Sequence, residues 1–349
     1  MRFFRGFHAP AEQPCVLTIG NFDGLHLGHQ ALLSLLADRA SERGLPASVL
    51  TFEPHPREFF SPLDAPARLT SLREKLMLLG DNGVDHAHVQ RFDRRFSSLS
   101  AEAFIQSVLV DGLKVSHLLI GDDFRFGERR NGDFALLQAA GNAHGFGVEA
   151  MPTLSVADER ASSSAVRMAL EAGELDHAAR LLGRPYSIAG QVMHGNQLGR
   201  QIGFPTLNIA LRHRLSAISG VFTVEVEGLL PEQHIQGVAN VGTRPTVSNT
   251  PQPAIRRAAS GIAQPPRGAA SEASVGGLQS RLEVHLLDWS DECYGAHVRV
   301  HFFHKLRDEF RFPSLDALKA QIGLDAQAAR GWFSQRRPIV AETSRIGLS

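Results

Sequence analysis

A chain of 349 residues with 36 Lys+Arg against 36 Asp+Glu is too long for one ordinary core and fits two domains. Its balanced charge excludes a whole-chain pull toward nucleic acid or anionic membrane, which leaves a small molecule as the expected partner. Only Cys15 and Cys293 are present, far apart and outside Cys-x-x-Cys spacing, so neither a disulfide framework nor a thiolate zinc site is indicated.

The segment Met1–Pro14 carries charges instead of an unbroken apolar run, and no later stretch approaches the ~20 apolar residues that span a bilayer. The expectation is a cytoplasmic chain without a membrane partner. From Val16 to Met151 short apolar runs alternate with amphipathic stretches. Strands are expected at 16–20, 48–52, 84–89, 117–121 and 146–151, with helices near 29–43, 71–80, 100–111 and 132–144. Alternation of this kind implies right-handed crossovers and a parallel sheet covered on both faces, with ligands bound beyond the carboxyl ends of the strands. The polar clusters at 20–29, 53–56 and 121–127 fall at those ends.

A helical segment follows over 164–182. The segments 186–193, 206–209, 220–227, 235–241, 281–288 and 297–303 then alternate apolar and polar residues, which predicts an antiparallel sheet or small barrel. The domain boundary is placed near Gly183, giving domains 1–183 and 184–349. Residues 248–280, rich in Pro, Ala, Gly, Ser and Arg without periodicity, read as a flexible insertion, and helical patterns return at 314–321 and 325–335.

The first strand runs into Gly20-Asn21-Phe22-Asp23-Gly24-Leu25-His26-Leu27-Gly28-His29. Glycines let backbone approach a phosphate, a helix N-terminus favours anions, and two imidazoles can donate to a polyphosphate. A metal-ligand pair or plain loop residues are the other readings of His26 and His29. The run Ser162-Ser163-Ser164 reads equally as a helix cap, and a cap site is also an anion site. Pro54-His55-Pro56 reads as an extended, rigid turn, and Phe124 and Phe126 as core. Lysine occurs only at Lys75, Lys114, Lys305 and Lys319, so arginine and backbone N–H groups are the expected phosphate clamp.

The N-terminal string resembles the His-x-Gly-His signature of the nucleotidylyltransferase superfamily, and in its longer form the bacterial bifunctional riboflavin kinase and FAD synthetase family. Thr51-Phe52-Glu53-Pro54-His55-Pro56, Gly121-Asp122-Asp123-Phe124-Arg125-Phe126-Gly127 and Arg160-Ala161-Ser162-Ser163-Ser164-Ala165-Val166-Arg167 agree in order. The resemblance covers nearly the whole chain except the insertion. It implies a Rossmann-like N-terminal domain that joins FMN to the α-phosphorus of ATP, releasing pyrophosphate and forming FAD. On that resemblance Gly20, Phe22, Asp23, Gly24 and Gly28 surround the ATP, and His26 and His29 stabilise the triphosphate and transition state. Arg160, Ser163 and Ser164 hold phosphates with Arg167 as a second cation, while His55, Pro56, Phe60 and Asp123 face the flavin. Ser164 and Val166 stand where the family usually has Thr and Ile, which keeps a hydroxyl and an aliphatic group.

The second half contains no Gly-x-x-x-x-Gly-Lys-Ser/Thr string and no protein-kinase motif set. It offers Gly195, Gly199 and Gly203 ahead of Pro205-Thr206-Leu207-Asn208. Glycine backbone can wrap phosphates, and a Thr hydroxyl with an Asn carboxamide suits Mg2+, although Gly195-Asn196 also fits an ordinary hairpin. This resembles the Pro-Thr-x-Asn motif of riboflavin kinases, whose domain is a small β-barrel; Gly237–Thr246 and Leu282–Asp288 support it. The resemblance implies Mg-ATP on Thr206 and Asn208, Glu283 as the base, and Arg307 near the substrates. Glu283 otherwise reads as an exposed strand residue. His301 and His304, three apart on a strand, are expected to face opposite ways and not to pair on a metal.

The combined expectation is ATP, riboflavin, FMN, FAD and pyrophosphate as small-molecule partners, flavins as substrate and product, Mg2+ accompanying ATP, and a monomer or homo-oligomer. Two other readings stand beside it: an adenylyltransferase for another phosphorylated acceptor, and a flavin-binding regulator or RNA-binding module without turnover.

Overall fold

The computed structural model describes residues 1–6, 11–151, 154–156, 159–194, 203–211, 215–244 and 279–336. In the first half β1 (Arg2–Arg5), β2 (Cys15–Ile19), β3 (Ala47–Glu53), β4 (His86–Arg91), β5 (Val115–Gly121) and β6 (Gly147–Met151) make one six-stranded sheet in the order β1-β4-β3-β2-β5-β6. Every neighbouring pair is parallel. The strand order reverses between β2 and β5, so the crevice of this sheet opens above those two carboxyl ends.

Both faces are covered, which is why the central strands read as continuous apolar runs. Helices α1 (Leu27–Arg43), α2 (Pro56–Phe60), α3 (Leu72–Asp81), α4 (Arg94–Ser97) and α5 (Ala101–Phe104) connect the strands up to β5. Leu33 and Leu36 of α1 and Leu79 of α3 pack with Val16, Val49 and Ala87 on one face. Phe104 of α5 and Val108 and Leu109 of the π-helical turn after it pack with Leu17, Leu50, Leu118 and Leu137 on the other. Leu137 belongs to α6 (Phe134–His144).

The predicted elements appear with several changes. Strand β1, helices α2 and α4, and the two-stranded hairpin β7 (Ser155–Val156) with β8 (Glu159–Arg160) were not expected, and the helix expected over 100–111 becomes π-helical after Phe104. The stretch 164–182 is two helices, α7 (Ser163–Glu171) and α8 (Leu175–Leu182), because the chain turns at Gly173, whose φ is +78°. The two C-terminal helical patterns are one helix, α9 (Leu315–Gln335), capped by Ser314, which accepts from Ala317 N–H.

The second half is a closed antiparallel barrel of β9 (Tyr186–Met193), β10 (Leu207–Ile209), β11 (Gly220–Leu230), β12 (Gln233–Arg244), β13 (Gln279–Leu286) and β14 (His297–Arg307), in the order β10-β13-β12-β11-β14-β9. Gln279 and Ser280, assigned to the insertion, instead open β13, since their pairing with Arg244 and Thr243 extends the ladder. The remainder of that expectation lies outside the described residues. Alternation fixes the faces: Phe222, Val224, Val226, Ala239, Val241, Leu282 and Val284 fill the barrel. The same core cluster includes Val166, Leu170, Ala178 and Leu182, so α7 and α8 share a core with the barrel, and α8 packs on β9 and β14. Among the described residues no helix is long and apolar enough to cross a membrane.

Glu74 of α3 joins the halves. It closes a capping box with Ser71 and its Oε1 accepts from Ala189 N–H of β9 at 2.6 Å. The side chain is buried, and burial raises its pKa while the hydrogen bonds from Ser71 and Ala189 oppose the rise. Glu74→Ala should cost about 1–3 kcal/mol by orphaning two N–H groups, read by urea unfolding. Glu74→Gln, which keeps an acceptor, should recover most of it, and equal losses would mean the hydrogen bonds are immaterial.

Candidate active sites

The turn after β2 is held in a conformation that costs free energy. Phe22 and Leu25 adopt left-handed φ of 48° and 44°, and both side chains are fully buried. Each such residue costs on the order of 1 kcal/mol, and strain of this kind persists where the surroundings over-determine it. Gly24 (φ +81°) could not be otherwise, because a Cβ there would lie 2.7 Å from Leu69 Cδ1.

What over-determines the turn is the Asp23 carboxylate. Its Oδ1 accepts from Leu69 N–H (3.1 Å), Thr70 N–H (3.1 Å) and the Thr70 hydroxyl (3.2 Å), and Thr70 Oγ1 in turn accepts from Gly24 N–H. Arg167 of α7 pairs with Asp23 Oδ2 and also donates Nε–H to Ala67 O at 2.6 Å. Both charges, expected at the phosphates, are thereby engaged with each other and with the backbone of the loop. The physical reason is burial: Asp23 is 3% exposed, and a carboxylate there requires a cation.

Helices α1 and α7 meet at this turn by their N-termini. His26 is the residue before α1 and makes no side-chain cap, Ser162 caps α7, and the Ser163 hydroxyl donates to Asp23 O at 2.8 Å. A Cβ on Gly28 would lie 3.2 Å from Ala161 O, so only glycine allows this approach without a shift. Two positive helix ends therefore converge beside exposed Ser164 and above the switch between β2 and β5. Arg160 pairs with Asp123 across this mouth at 2.7 Å, both side chains being more than half exposed.

The imidazoles of His26 and His29 stack with centroids 3.7 Å apart, and each leaves a buried Nδ1 without a partner among the described residues. Burial, with Arg160 as the next cause, lowers the His26 pKa to about 4; burial and the neighbouring His26 lower that of His29 well below its usual value. Both rings are neutral at pH 7 and present nitrogen atoms whose hydrogen bonds are still to be made.

His55 keeps the extended backbone expected of it (φ −58°, ψ 136°), but the chain turns into a helix directly after it. It caps α2, with Pro56 at the first helical position, where its missing N–H is harmless, and His55 Nδ1 accepts from Arg57 N–H at 3.1 Å. Burial lowers the His55 pKa to about 4. Phe60, 66% exposed, stands edge-on to Phe59 and Phe92 at 5.2 and 5.6 Å. Phe126 is buried and Phe124 packs on the core beside it, as expected of both. Lys75 went unremarked as a site residue. It is 3% exposed, burial lowers its pKa, and it acts electrostatically on Asp23, Glu53, His29 and His55. The scarcity of lysine in the sequence was the one signal that could have singled it out.

On the barrel, Gly195 and Gly199 lie outside the described residues, and Gly203 turns with φ +88°. Strand registry places Asn208 opposite Glu283, Glu283 opposite Asn240, Asn240 opposite Val221, and Val221 opposite Arg307. Because Leu282 and Val284 point inward, this row lies on the outer wall. Asn240 Nδ2 donates to Glu309 Oε1 at 3.0 Å, while its buried Oδ1 has no partner among the described residues. A cavity beside the row is lined by Thr206, Asn208, Trp289, Asp291 and Tyr294. Arg307, expected at the flavin, is engaged by Asp325 of α9 at 2.8–3.1 Å and stacks over Phe310 at 4.6 Å. His301 and His304 do not meet: His304 stacks on Trp332 and His301 bonds Glu227.

A doubly covered parallel sheet with two helix N-termini at its switch point, joined to a closed barrel with a polar outer row, defines a two-site nucleotide-dependent transferase. The chain matches the FAD synthetase family model over residues 8–165 and the riboflavin kinase model over 182–333. It is 47% identical to the bifunctional riboflavin kinase/FMN adenylyltransferase of Escherichia coli (strain K12), over 97% of this chain and 100% of that one. The protein of the same name from Haemophilus influenzae is 45% identical over 96% and 100%. The chain belongs to the bifunctional riboflavin kinase/FMN adenylyltransferase family. A Streptococcus pneumoniae crystal structure titled as a macrolide-efflux protein superposes with a TM-score of 0.72 at 26% identity, covering 95% of this chain and 99% of that one.

The neutral histidines set a pH dependence. An unfolded His26 titrates near 6.5 and the folded one near 4. Between those values the unfolded chain holds a proton that the folded chain lacks, so stability falls as pH drops through that window. Above it this group contributes no slope. Urea unfolding at a series of pH values should show the wild-type loss diminished in His26→Asn, whereas identical slopes would mean that the buried ring is not its source.

Proposed function

We propose that the two sites divide flavin cofactor synthesis, the barrel forming FMN from riboflavin and ATP and the sheet domain, taken as residues 1–183, forming FAD from FMN and a second ATP. The observation that carries this division is the state of the carboxylates. In the sheet site Asp23 faces Arg167, Asp123 faces Arg160, and Glu53 and Glu58 both face Arg68. On the barrel Glu283 stands between two carboxamides.

Those environments suit different nucleophiles. The FMN phosphate, with a second pKa near 6, is already largely dianionic at neutral pH and attacks the α-phosphorus without a base. Positioning and charge then matter most. The α1 and α7 N-termini, Ser163, Ser164 and Arg160 take the phosphates, with Asp123 releasing Arg160 as they arrive. Neutral His26 and His29 donate to the triphosphate, whose charge raises their affinity for a proton as pyrophosphate leaves. Asp23 and Arg167 hold the turn in shape, and Lys75 supplies a buried amine beside His29. His55, Phe60 and the aromatic group around Phe92 form a wall for the isoalloxazine ring.

In the kinase step the ribityl hydroxyl is a neutral alcohol and must lose a proton as it attacks the γ-phosphorus, so Glu283 acts as base. Thr206 and Asn208 offer oxygen donors of the kind Mg2+ selects, and the unpartnered Asn240 Oδ1 is a further acceptor beside Glu283. Mg2+ bound with ATP would neutralise charge on the phosphates. Arg307, fixed by Asp325, positions the end of the row beside Phe310 and Phe312.

Glu283→Gln should lower FMN formation by about 10²–10⁴-fold and leave conversion of FMN to FAD within about twofold. His29→Ala and Lys75→Met should do the reverse, each lowering FAD formation at least about tenfold. Products separated by chromatography after incubation with riboflavin or FMN, ATP and Mg2+ decide the matter. Loss of both activities in each single variant, with circular dichroism unchanged, would rule out the division.

A further inference from the structure

We propose that Glu227, His234 and His301 form a binding site for a divalent transition cation of the zinc class on the outer wall of the barrel. The three residues stand on adjacent strands, β11, β12 and β14, and one potential ligand atom from each lies within 4.8 Å of the others. His301 Nε2 is 3.0 Å from Glu227 Oε2, and the His234 and His301 rings stack nearly parallel, 13° apart, with centroids at 5.3 Å. None of the three residues belongs to the Asn208–Glu283–Asn240 row, and neither proposed flavin reaction assigns them a part.

The donor set selects the ion. Two imidazoles and one carboxylate suit Zn2+, Co2+ or Ni2+, whereas Mg2+ prefers oxygen ligands and retains its water. Ligand atoms bound tetrahedrally at ~2.0–2.1 Å stand about 3.3–3.5 Å apart. The His301–Glu227 pair is already slightly closer than that. His234, whose side chain is 44% exposed, needs only a modest rotation to close the remaining gap. Its Nδ1 faces Glu225 Oε2 at 3.4 Å, which orients the ring and leaves Nε2 for the ion. A carboxylate behind a ligating imidazole is the usual outer support of such sites.

Two guanidiniums oppose occupancy: Arg299 Nη1 lies 3.6 Å from Glu227 Oε2 and competes for the same oxygen, and Arg336 Nη1 lies 3.8 Å from Glu225 Oε1. Glu227 has a second oxygen and the Glu225 charge offsets Arg336, which leaves both imidazoles to draw in the cation. Arg299 and His301 also line a cavity with Gly24, Leu69 and Arg184. An ion here would pin three barrel strands beside the contact with the first domain.

The test uses the full chain, stripped of metal and free of nucleotide. Zn2+ is titrated in competition with a chromophoric chelator, and Co2+ is followed by its visible ligand-field bands. Wild type should bind one equivalent at least tenfold more tightly than His234→Ala or His301→Ala, with tetrahedral Co2+ bands that both variants lose. Both should keep wild-type rates of FMN and FAD formation. Equal Zn2+ affinity in wild type and the His234→Ala/His301→Ala double variant, or Co2+ bands that survive in it, would overturn the assignment and place any binding on other histidines. Failure of wild type to bind Zn2+ would overturn it as well.

Discussion

The buried carboxylate of Asp23 is the constraint on which the first site depends. A charge at 3% exposure is tolerated only with partners, and here they come from three separate stretches: the backbone of Leu69 and Thr70, the Thr70 hydroxyl, and Arg167 on α7. Satisfying one carboxylate therefore ties the turn after β2 to the loop before α3 and to a helix more than a hundred residues away. The strained Phe22 and Leu25 are a consequence. Without that knot the two helix N-termini would have no reason to converge.

The barrel solves its own problem differently. Its interior is filled with apolar side chains, so the polar row Asn208–Glu283–Asn240 has to lie on the outside. Water would compete there for every hydrogen bond. The segment after β14 answers this by folding over the row: Glu309 bonds Asn240, and a Cβ at Gly242 would collide with the Glu309 carboxylate at 2.0 Å. Helix α9 closes the other end through the buried pair of Asp325 with Arg307. The outer row is thus partly shielded from water by these contacts, as the proposed phosphoryl transfer there would require.

Much of this was legible in the sequence, and the reasons it stopped are physical. Period-two and helical patterns located every central strand, because burial on one or both faces writes itself into composition. Strand β1 was missed because Arg2–Arg5 is exposed along its whole length and carries no such signal. The helix at Pro56 was hidden because a capping histidine and a first-turn proline look like a rigid loop until the Glu58 reciprocal bond is seen. The site residues divide in the same way. Motif resemblance grouped His26, Gly28 and Ser163, which the structure brings to one turn, and Asn208 with Glu283, which face each other in the barrel ladder. That Asp23 and Arg167 are engaged with each other, and Arg307 with Asp325, was not, since the partner of a charge is fixed by tertiary contact and not by its neighbours in sequence.

The same logic bears on how separate the two halves are. A boundary near Gly183 falls between the last helix of the first half and the first strand of the barrel, yet the next residue reaches back across it. Arg184 donates to Gly24 O at 2.7 Å and to Leu25 O at 3.1 Å, the two carbonyls of the strained turn, and Gln30 Nε2 bridges Leu25 O and Leu182 O. Burial lowers the Arg184 pKa to about 10, so it remains charged at neutral pH and its donors stay available. The turn after β2 is consequently gripped from one side by Asp23 and its partners and from the other by the entry to the barrel. On the proposed division, catalytic groups are distributed between two sites while the rigidity of one of them is supplied by the neighbouring domain.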